Sequence, residues 1–358
     1  MSEHPYRGLP DHAFWRRAVA DIAPSEVDPI IDAPFVLTTD MRIATAGSCF
    51  AQHIARHLRQ SGFNFLVTET AHPIAPAALA DAYGYGLYTA RYGNLYTSRQ
   101  LVQLFQRAYG TFVPECEYWL DQNDRVIDPF RPQVQPGGFC TAEELRADRA
   151  HHFACVREAF ETLDVFVYTL GLTECWTQRD DGAAYPLCPG VAGGHFDADT
   201  HAFINLTSAD VTADLLAFAE LLRAVNPGAR ILLTVSPVPL IATVTGKHVL
   251  VATTYSKSVL RVAAAEAERA VSNRTYFPSY EILTGNFNQG AYFAPDRRSV
   301  TDEGVSHVMR VFMRHFTETT EPVSSISQSV SAGVDSHTAE VARLVKVVCD
   351  EEALDRQD

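Results

Sequence analysis

The chain has 358 residues, 47% of them hydrophobic and 20% charged, an ordinary balance for a globular protein able to bury a sizeable core in one or two domains. A net charge of −14 argues against a general nucleic-acid or polyanion-binding surface. A membrane span is not expected either, since no run of about 18 consecutive apolar residues occurs. The N-terminus, Met1-Ser2-Glu3-His4-Pro5, lacks the basic-then-apolar pattern of a secretory signal, so a cytoplasmic location is expected. The seven cysteines are scattered without close pairs, which argues against a disulfide framework or a zinc knuckle, and no nucleotide, metal or flavin motif stands out.

Residues 1–40 form an N-terminal extension with one helical stretch, Asp11 to Asp21, whose Phe14, Trp15, Val19 and Ile22 lie towards one side. Arg42 to Ala46 reads as the first strand. Phe50 to Gln60 reads as a helix, with Phe50, Ile54 and Leu58 four apart and Ser61-Gly62 as the stop. Between them stands Gly47-Ser48-Cys49. Strand, tight turn and helix present a serine hydroxyl or a thiol at the carboxyl edge of a parallel sheet, beside helix-start N–H groups that stabilise an anionic oxygen. Phe63 to Val67 reads as a second strand. Residues 70–140, rich in Tyr, Gly and Pro, form an ordered insertion that either shapes a pocket or packs as a small subdomain. Its one clear helix opens at Thr97-Ser98-Arg99-Gln100, which has capping-box spacing, and buries Leu101, Leu104, Phe105 and Ala108.

A second capping box, Thr141-Ala142-Glu143-Glu144, opens a helix to about Leu163. Val165 to Leu170 is an apolar strand of the kind found in sheets covered on both faces, and it ends in Gly171-Leu172-Thr173-Glu174. Val211, Leu215, Phe218 and Leu222 mark a helix that stops before Asn226-Pro227, and the strand Ile231 to Val235 runs into Ser236-Pro237. A helix over Val249 to Val271, a strand over Tyr276 to Ile282 and a last amphipathic helix with Val305, Val308, Met309, Phe312 and Phe316 follow. This alternation implies a three-layer α/β/α fold over residues 41–320. In the tail, 321–358, a Ser-rich linker (Val323 to Ser336) precedes a short helix, Thr338 to Val348, and an acidic end. The tail is expected to pack loosely or mediate self-association and to be dispensable for folding.

Ligands of open α/β sheets bind at the carboxyl ends of the strands. The ends at Gly47-Ser48-Cys49, at Gly171-Leu172-Thr173-Glu174 and at Ser236-Pro237 should share one edge, with Ser48 closing a central strand at the base of a cleft. Ser48 is the candidate nucleophile. Cys49 follows it in the turn and points away from the cleft. A serine nucleophile needs a base. His201, in the loop between the Gly171 strand and the next helix, is the first choice, ahead of His195 in the same loop and His72. His307, within the last helix, reads as a surface or packing residue. Glu174 is the carboxylate alternative, made more basic by burial unless it pairs with Arg91 or Arg298. Arg297 and Arg298 would hold a substrate carboxylate or phosphate, or pair with Asp302 and Glu303.

Gly47-Ser48-Cys49-Phe50-Ala51 resembles the signature of the GSCFA family, a relative of the SGNH (GDSL-type) hydrolases. Tyr92-Gly93-Asn94-Leu95-Tyr96, Thr169-Leu170-Gly171, Thr234 to Val238, Ser256-Lys257 and Tyr276 to Glu281 resemble further family segments in the same order. The resemblance implies a flavodoxin-like parallel sheet and serine-centred ester chemistry. It implies Ser48 as nucleophile, the N–H groups of Ser48 and Gly93 with the Asn94 side chain as oxyanion donors, and the Gly171 segment as the block that carries a further donor. Two departures stand out. That block reads Gly171-Leu172-Thr173-Glu174 in place of Gly-x-Asn-Asp, and an ionised glutamate cannot donate a hydrogen bond. Where the family has Asp-x-x-His-Pro, this chain has Asp296-Arg297-Arg298-Ser299-Val300, so the aspartate stands and Ser299 replaces the histidine.

Two readings follow. The first is a serine-dependent esterase or O-acyltransferase acting on a carbohydrate or similar hydroxylated small molecule with an acyl donor, and without a cofactor. The second is a non-catalytic family member that binds a glycan or a partner protein.

Overall fold

A computed structural model describes residues 4–270, 273–318 and 350–354. Their contacts gather into two compact units, one of residues 39–270, 273–276 and 350–354, the other of residues 4–38 and 277–318.

The larger unit begins with β1 (Ile43–Gly47) and α1 (Phe50–Gln60), joined by Ser48 and Cys49, followed by α2 (Ala77–Ala82) and α3 (Ser98–Ala108). A short hairpin, β2 (Trp119–Leu120) with β3 (Val126–Ile127), precedes α4 (Ala142–Thr162) and β4 (Val165–Leu170). Then come β5 (Glu174–Gln178), β6 (Ala184–Tyr185), β7 (His201–Asn205), α5 (Ser208–Val225), β8 (Arg230–Val235), α6 (Val249–Ala270) and β9 (Arg274–Tyr276). The main sheet has the order β1-β4-β8-β9, all parallel, so every strand reaches the same edge with its carboxyl end. Every residue of β1 and β4 is buried, as their continuous apolar sequence requires in a sheet covered on both faces. Side chains alternate across a strand, and Phe166 turns to the side where Phe160 of α4 and Phe218 of α5 meet its ring. Helix α1 packs against β1 and β4, and α6 runs along β8 and β9. The fold is α/β, with a parallel sheet between helical layers.

β1 is held at both ends. At its start, Arg42 donates from its backbone N and its Nε to Asp164 Oδ2 at 2.7 and 3.1 Å, and from Nη2 to Oδ1 at 3.1 Å. At its finish, Ser48 N donates to Thr169 O at 3.0 Å. Gly47 has φ +132°, and a Cβ there would collide with the Thr169 backbone, so glycine alone suits this turn.

The helix starts follow their caps. Thr97 and Gln100 form the reciprocal capping box ahead of α3. Thr141 caps α4 through Glu144 N at 3.2 Å, while the Glu144 carboxylate reaches past the cap to accept from Cys140 N at 2.7 Å.

Several expectations need correction. Phe63 to Val67 is no strand: it makes one bridge, Phe65 to Ile43, before Thr68 turns away to Thr89 O at 2.9 Å. β1 is therefore the terminal strand of the sheet rather than a central one. Residues 174–205 are not all loop: β5 pairs antiparallel with β6 and β7 in a second small sheet, which puts His201 on a strand and leaves 186–200 irregular. The final strand stops at Tyr276. Pro278, which has no N–H to offer a ladder, precedes helix α7 (Ser279–Thr284) in the smaller unit. Asp11 to Asp21 contains a 3-10 turn and a π turn with no fully buried residue, in place of one continuous helix.

In the smaller unit, α7 is followed by α8 (Asp302–Phe316), whose Phe312 and Phe316 pack with Phe277. Leu37 N donates to Phe316 O at 2.6 Å. His307 is buried on α8, with Tyr292 Oη 2.8 Å from Nδ1 and Val27 O 2.9 Å from Nε2. It is a packing residue. The linker Val323 to Ser336 and the helix expected at Thr338 to Val348 lie outside the described residues. Among those described, no helix is long and apolar enough to cross a membrane.

Candidate active site

Ser48 stands where β1 turns into α1, 3% exposed, and its Oγ has no hydrogen-bond partner. The Ser48 N–H, implied as an oxyanion donor, is already engaged with Thr169 O. Gly171, at the end of β4, lies against it: a Cβ on Gly171 would come within 3.0 Å of Ser48 Cβ and 2.9 Å of Tyr96 O. Ser236 joins this edge after β8, its N–H donating to Leu170 O at 2.8 Å and its Oγ accepting from Val238 N at 3.3 Å.

Beside Ser48, the Tyr88 hydroxyl lies 3.4 Å from Ser48 O and also donates to Asn94 Oδ1. Gln52, one turn into α1, donates to Tyr88 Oη at 3.1 Å and to Asn94 Oδ1 at 3.4 Å. Gln52, Tyr88, Gly93 and Asn94 lie on the wall of a cavity of about 560 Å³, whose other walls come from residues 81–87 and 130–138. The 70–140 region thus supplies most of the cavity wall, and Ser48 itself is not part of the lining.

Arg91 ties these walls together. Its Nε donates to Tyr83 O at 2.9 Å and its Nη2 to Val134 O at 2.8 Å, while its Nη1 pairs with Asp148 at 3.1 Å and lies 3.6 Å from Glu69. Arg131, 2.9 Å from Asp128 and 2.7 Å from Asp148, extends this buried network. Glu69 also lies 2.6 Å from His152 Nδ1. Burial works to raise the Glu69 carboxyl, but the bond to His152 and the nearby charges hold it at about 2.

None of the remaining predicted residues hydrogen-bonds the Ser48 Oγ. His201 is buried on β7, where Asp197 N and O, with the Thr200 hydroxyl, surround its Nδ1 and the rings of Tyr185 and Phe196 pack on it. Glu174 accepts from the Thr243 hydroxyl at 2.8 and 3.0 Å, and burial raises its carboxyl above the usual range. Arg91 is taken up by Glu69 and Asp148 rather than by Glu174. Thr173 N donates to Ser256 Oγ at 3.0 Å, and its own hydroxyl to Asn205 Oδ1 at 2.6 Å. Cys49 is a buried free thiol at the start of α1. Asp296 and Arg298 belong to the smaller unit. There Asp296 accepts from the N–H groups of Arg298 and Ser299, both at 2.9 Å, and from the Ser299 hydroxyl at 2.5 Å. Ser299 thus bonds the aspartate, and the Asp296 carboxyl is held low chiefly by that bond. Among the described residues, no cluster of His, Cys, Asp or Glu has the arrangement of a metal site.

Two residues at this edge had no assigned role. Lys257, buried on α6, donates from Nζ to Gly171 O at 2.5 Å. A lysine within an apolar helical stripe was the available signal, since such a residue needs a buried acceptor. Asp350, in the acidic tail, is buried and accepts from Asn94 Nδ2 at 2.8 Å. No periodicity announced it. The tail is not loose here: both Asp350 and Glu351 are buried.

The model of the GSCFA family matches residues 42–312. The chain belongs to the GSCFA family. No curated protein matches its sequence. Among solved structures, this GSCFA chain is similar to an acetyl xylan esterase (Est2A) from the rumen bacterium Butyrivibrio proteoclasticus, at 11% identity and a TM-score of 0.25. The alignment covers 68% of the GSCFA chain but only 56% of that esterase.

Proposed function

We propose that the chain is a serine-dependent esterase or O-acyltransferase, with Ser48 as the nucleophile and a hydroxylated small molecule, a carbohydrate by preference, as the group that carries or receives the acyl chain. The observation that carries this reading is the Ser48 turn itself. A buried hydroxyl with no partner follows a glycine that the turn demands, and the Tyr88 hydroxyl that reaches the Ser48 carbonyl also bonds Asn94, which lines a large cavity. Ser48 Oγ would attack the ester carbonyl, and the Asn94 amide would donate to the developing oxyanion. Water or a second hydroxyl would then take the acyl group. Tyr83, Tyr88 and Phe130 offer ring faces in the cavity, and Asp81, Asp121, Gln133 and Gln135 offer hydrogen bonds suited to a sugar.

Proton transfer is assigned to His201 or Glu174. Each needs to approach Ser48 on substrate binding, because catalytic hydrogen bonds commonly tighten only in the complex. Glu174 has the raised carboxyl a base requires, and His201 has the ring. A second reading, binding without turnover, is supported by the unpartnered Ser48 Oγ and by Ser299 in the family's histidine position.

The test is labelling by a fluorophosphonate together with hydrolysis of an activated acetyl ester. Ser48→Ala should abolish both while the melting temperature persists. Loss of turnover in His201→Ala alone, or in Glu174→Gln alone, identifies the base. A wild-type chain that neither labels nor turns over any acyl ester belongs to the binding reading.

A further inference from the structure

Asn94 is oriented by its neighbours. Its Oδ1 accepts from the Tyr88 hydroxyl and from Gln52 Nε2, which leaves Nδ2 as the atom that donates towards the cavity. What it meets there is the chain's own carboxylate, Asp350 Oδ2, at 2.8 Å. The Asp350 N–H donates in turn to the Tyr96 hydroxyl at 3.0 Å. Both partners come from the one segment, Asn94 and Tyr96, so the backbone and the side chain of Asp350 are seated together. Asp350 lines the same cavity as Gly93 and Asn94. Burying a carboxylate is unfavourable, and here burial pushes its acid up to about 6 despite the Asn94 bond. A fixed N–H that donates to a buried carboxylate has the chemistry of a site for an acyl oxygen or a released acid.

We propose that Asn94 Nδ2 marks a carboxylate-binding subsite, and that the chain fills it with its own Asp350. Residues 350–354 are then an internal inhibitor that competes with acyl substrates and with small free carboxylates. The effect on activity rests on the acyl-transfer reading of Ser48, whereas the occupancy of the subsite does not. Ser48 is closed off in the same structure that holds Asp350 in place.

The experiment compares the full chain with Asp350→Ala and with a chain ending at residue 349. Two readouts are taken: the rate of fluorophosphonate labelling, and an acetate titration followed on the side-chain amide resonances of Asn94. The proposal expects both altered chains to label at least tenfold faster. It also expects their Asn94 resonances to move at acetate concentrations that leave the full chain unaffected. Equal titration in all three chains overturns it. So does labelling that is no faster, or slower, in the altered chains, since Asp350 would then be a bystander or a helper. If no chain labels at all, the ester-chemistry reading of Ser48 falls and the acetate titration alone decides the subsite. Asp350→Asn, which keeps the shape and removes the charge, is read in the same way should the larger changes unfold the protein.

Discussion

Lys257 Nζ donates to the main-chain carbonyl of Gly171 at 2.5 Å, and Gly171 is the residue whose backbone lies against Ser48. A buried ammonium on α6 thereby fixes the peptide that backs the candidate nucleophile. Lys257→Met keeps much of the stem and removes the donor. The expected loss is about 1.5–3 kcal/mol of stability, the range for a hydrogen bond to a charged group. Urea denaturation measures it, and an unchanged midpoint would show that the Gly171 carbonyl finds another donor at no cost.

Gly171→Ala tests the same wall from the other side. Its Cβ would approach Ser48 Cβ to 3.0 Å and Tyr96 O to 2.9 Å, so one of them must move. The expected cost is about 1–3 kcal/mol, as for other overpacked sites. Because Ser48 Cβ is one of the two atoms crowded, labelling of Ser48 should fall more than tenfold in a chain that still melts cooperatively. Full labelling would mean that the turn tolerates a side chain at this position.

Arg91 joins Tyr83 O and Val134 O across the cavity while facing Glu69 and Asp148. Arg91→Met should destabilise the chain by about 3–5 kcal/mol, because it leaves buried carboxylate charge uncompensated. Chemical denaturation gives the size. Limited proteolysis should show new cuts in residues 81–87 and 130–138, and protection of both segments in the variant would refute the clamp.

Glu69 and His152 set an acid limit. Burial, then the charge of Arg131, pulls the His152 imidazole from 6.5 down to about 4. Glu69 is held at about 2, against 4.5 when free. Both folded-state values lie below those of the unfolded chain, so on acidification the unfolded chain binds protons first. Stability is therefore kept above pH 6.5 and lost as the pH falls, through His152 between 6.5 and about 4 and through Glu69 between 4.5 and about 2. The urea midpoint should drop across the upper window in the wild type and flatten there in His152→Gln. A wild-type midpoint that is level from pH 6.5 to 4 would contradict this assignment.

The elements that were legible in the sequence are those whose signal is local. Phe50–Gln60 carries its own apolar spacing and stop, and Val165–Leu170 its continuous apolar run, and both appear with the bounds expected. The elements misread depend on pairing. His201 was assigned to a loop because β7 is recognisable as a strand only once β5 lies beside it. Phe63 to Val67 has strand composition but meets β1 at a single residue. The site divides in the same way. Ser48 and its glycine turn are visible as adjacent letters, whereas the bond from Asn94 to Asp350 joins positions 256 apart, and no window along the chain contains both.

The exposed pair at the other end of β1 has a role that its solvent screening conceals. Arg42 grips Asp164 through both its backbone and its guanidinium, immediately before the first matched residues, Ile43 and Val165. Every residue of β1 is buried, and Ala44, Thr45 and Ala46 are too small for bulk alone to define their alignment with β4. A slip of one residue would turn each of these side chains to the opposite face. It would also deliver Gly47 or Cys49, instead of Ser48, to the apex of the turn. Arg42 and Asp164 act as an index mark at the far end of the strand. Together with Gly47 against Thr169, they hold the register that brings Ser48 to the turn, from a distance at which neither can touch it.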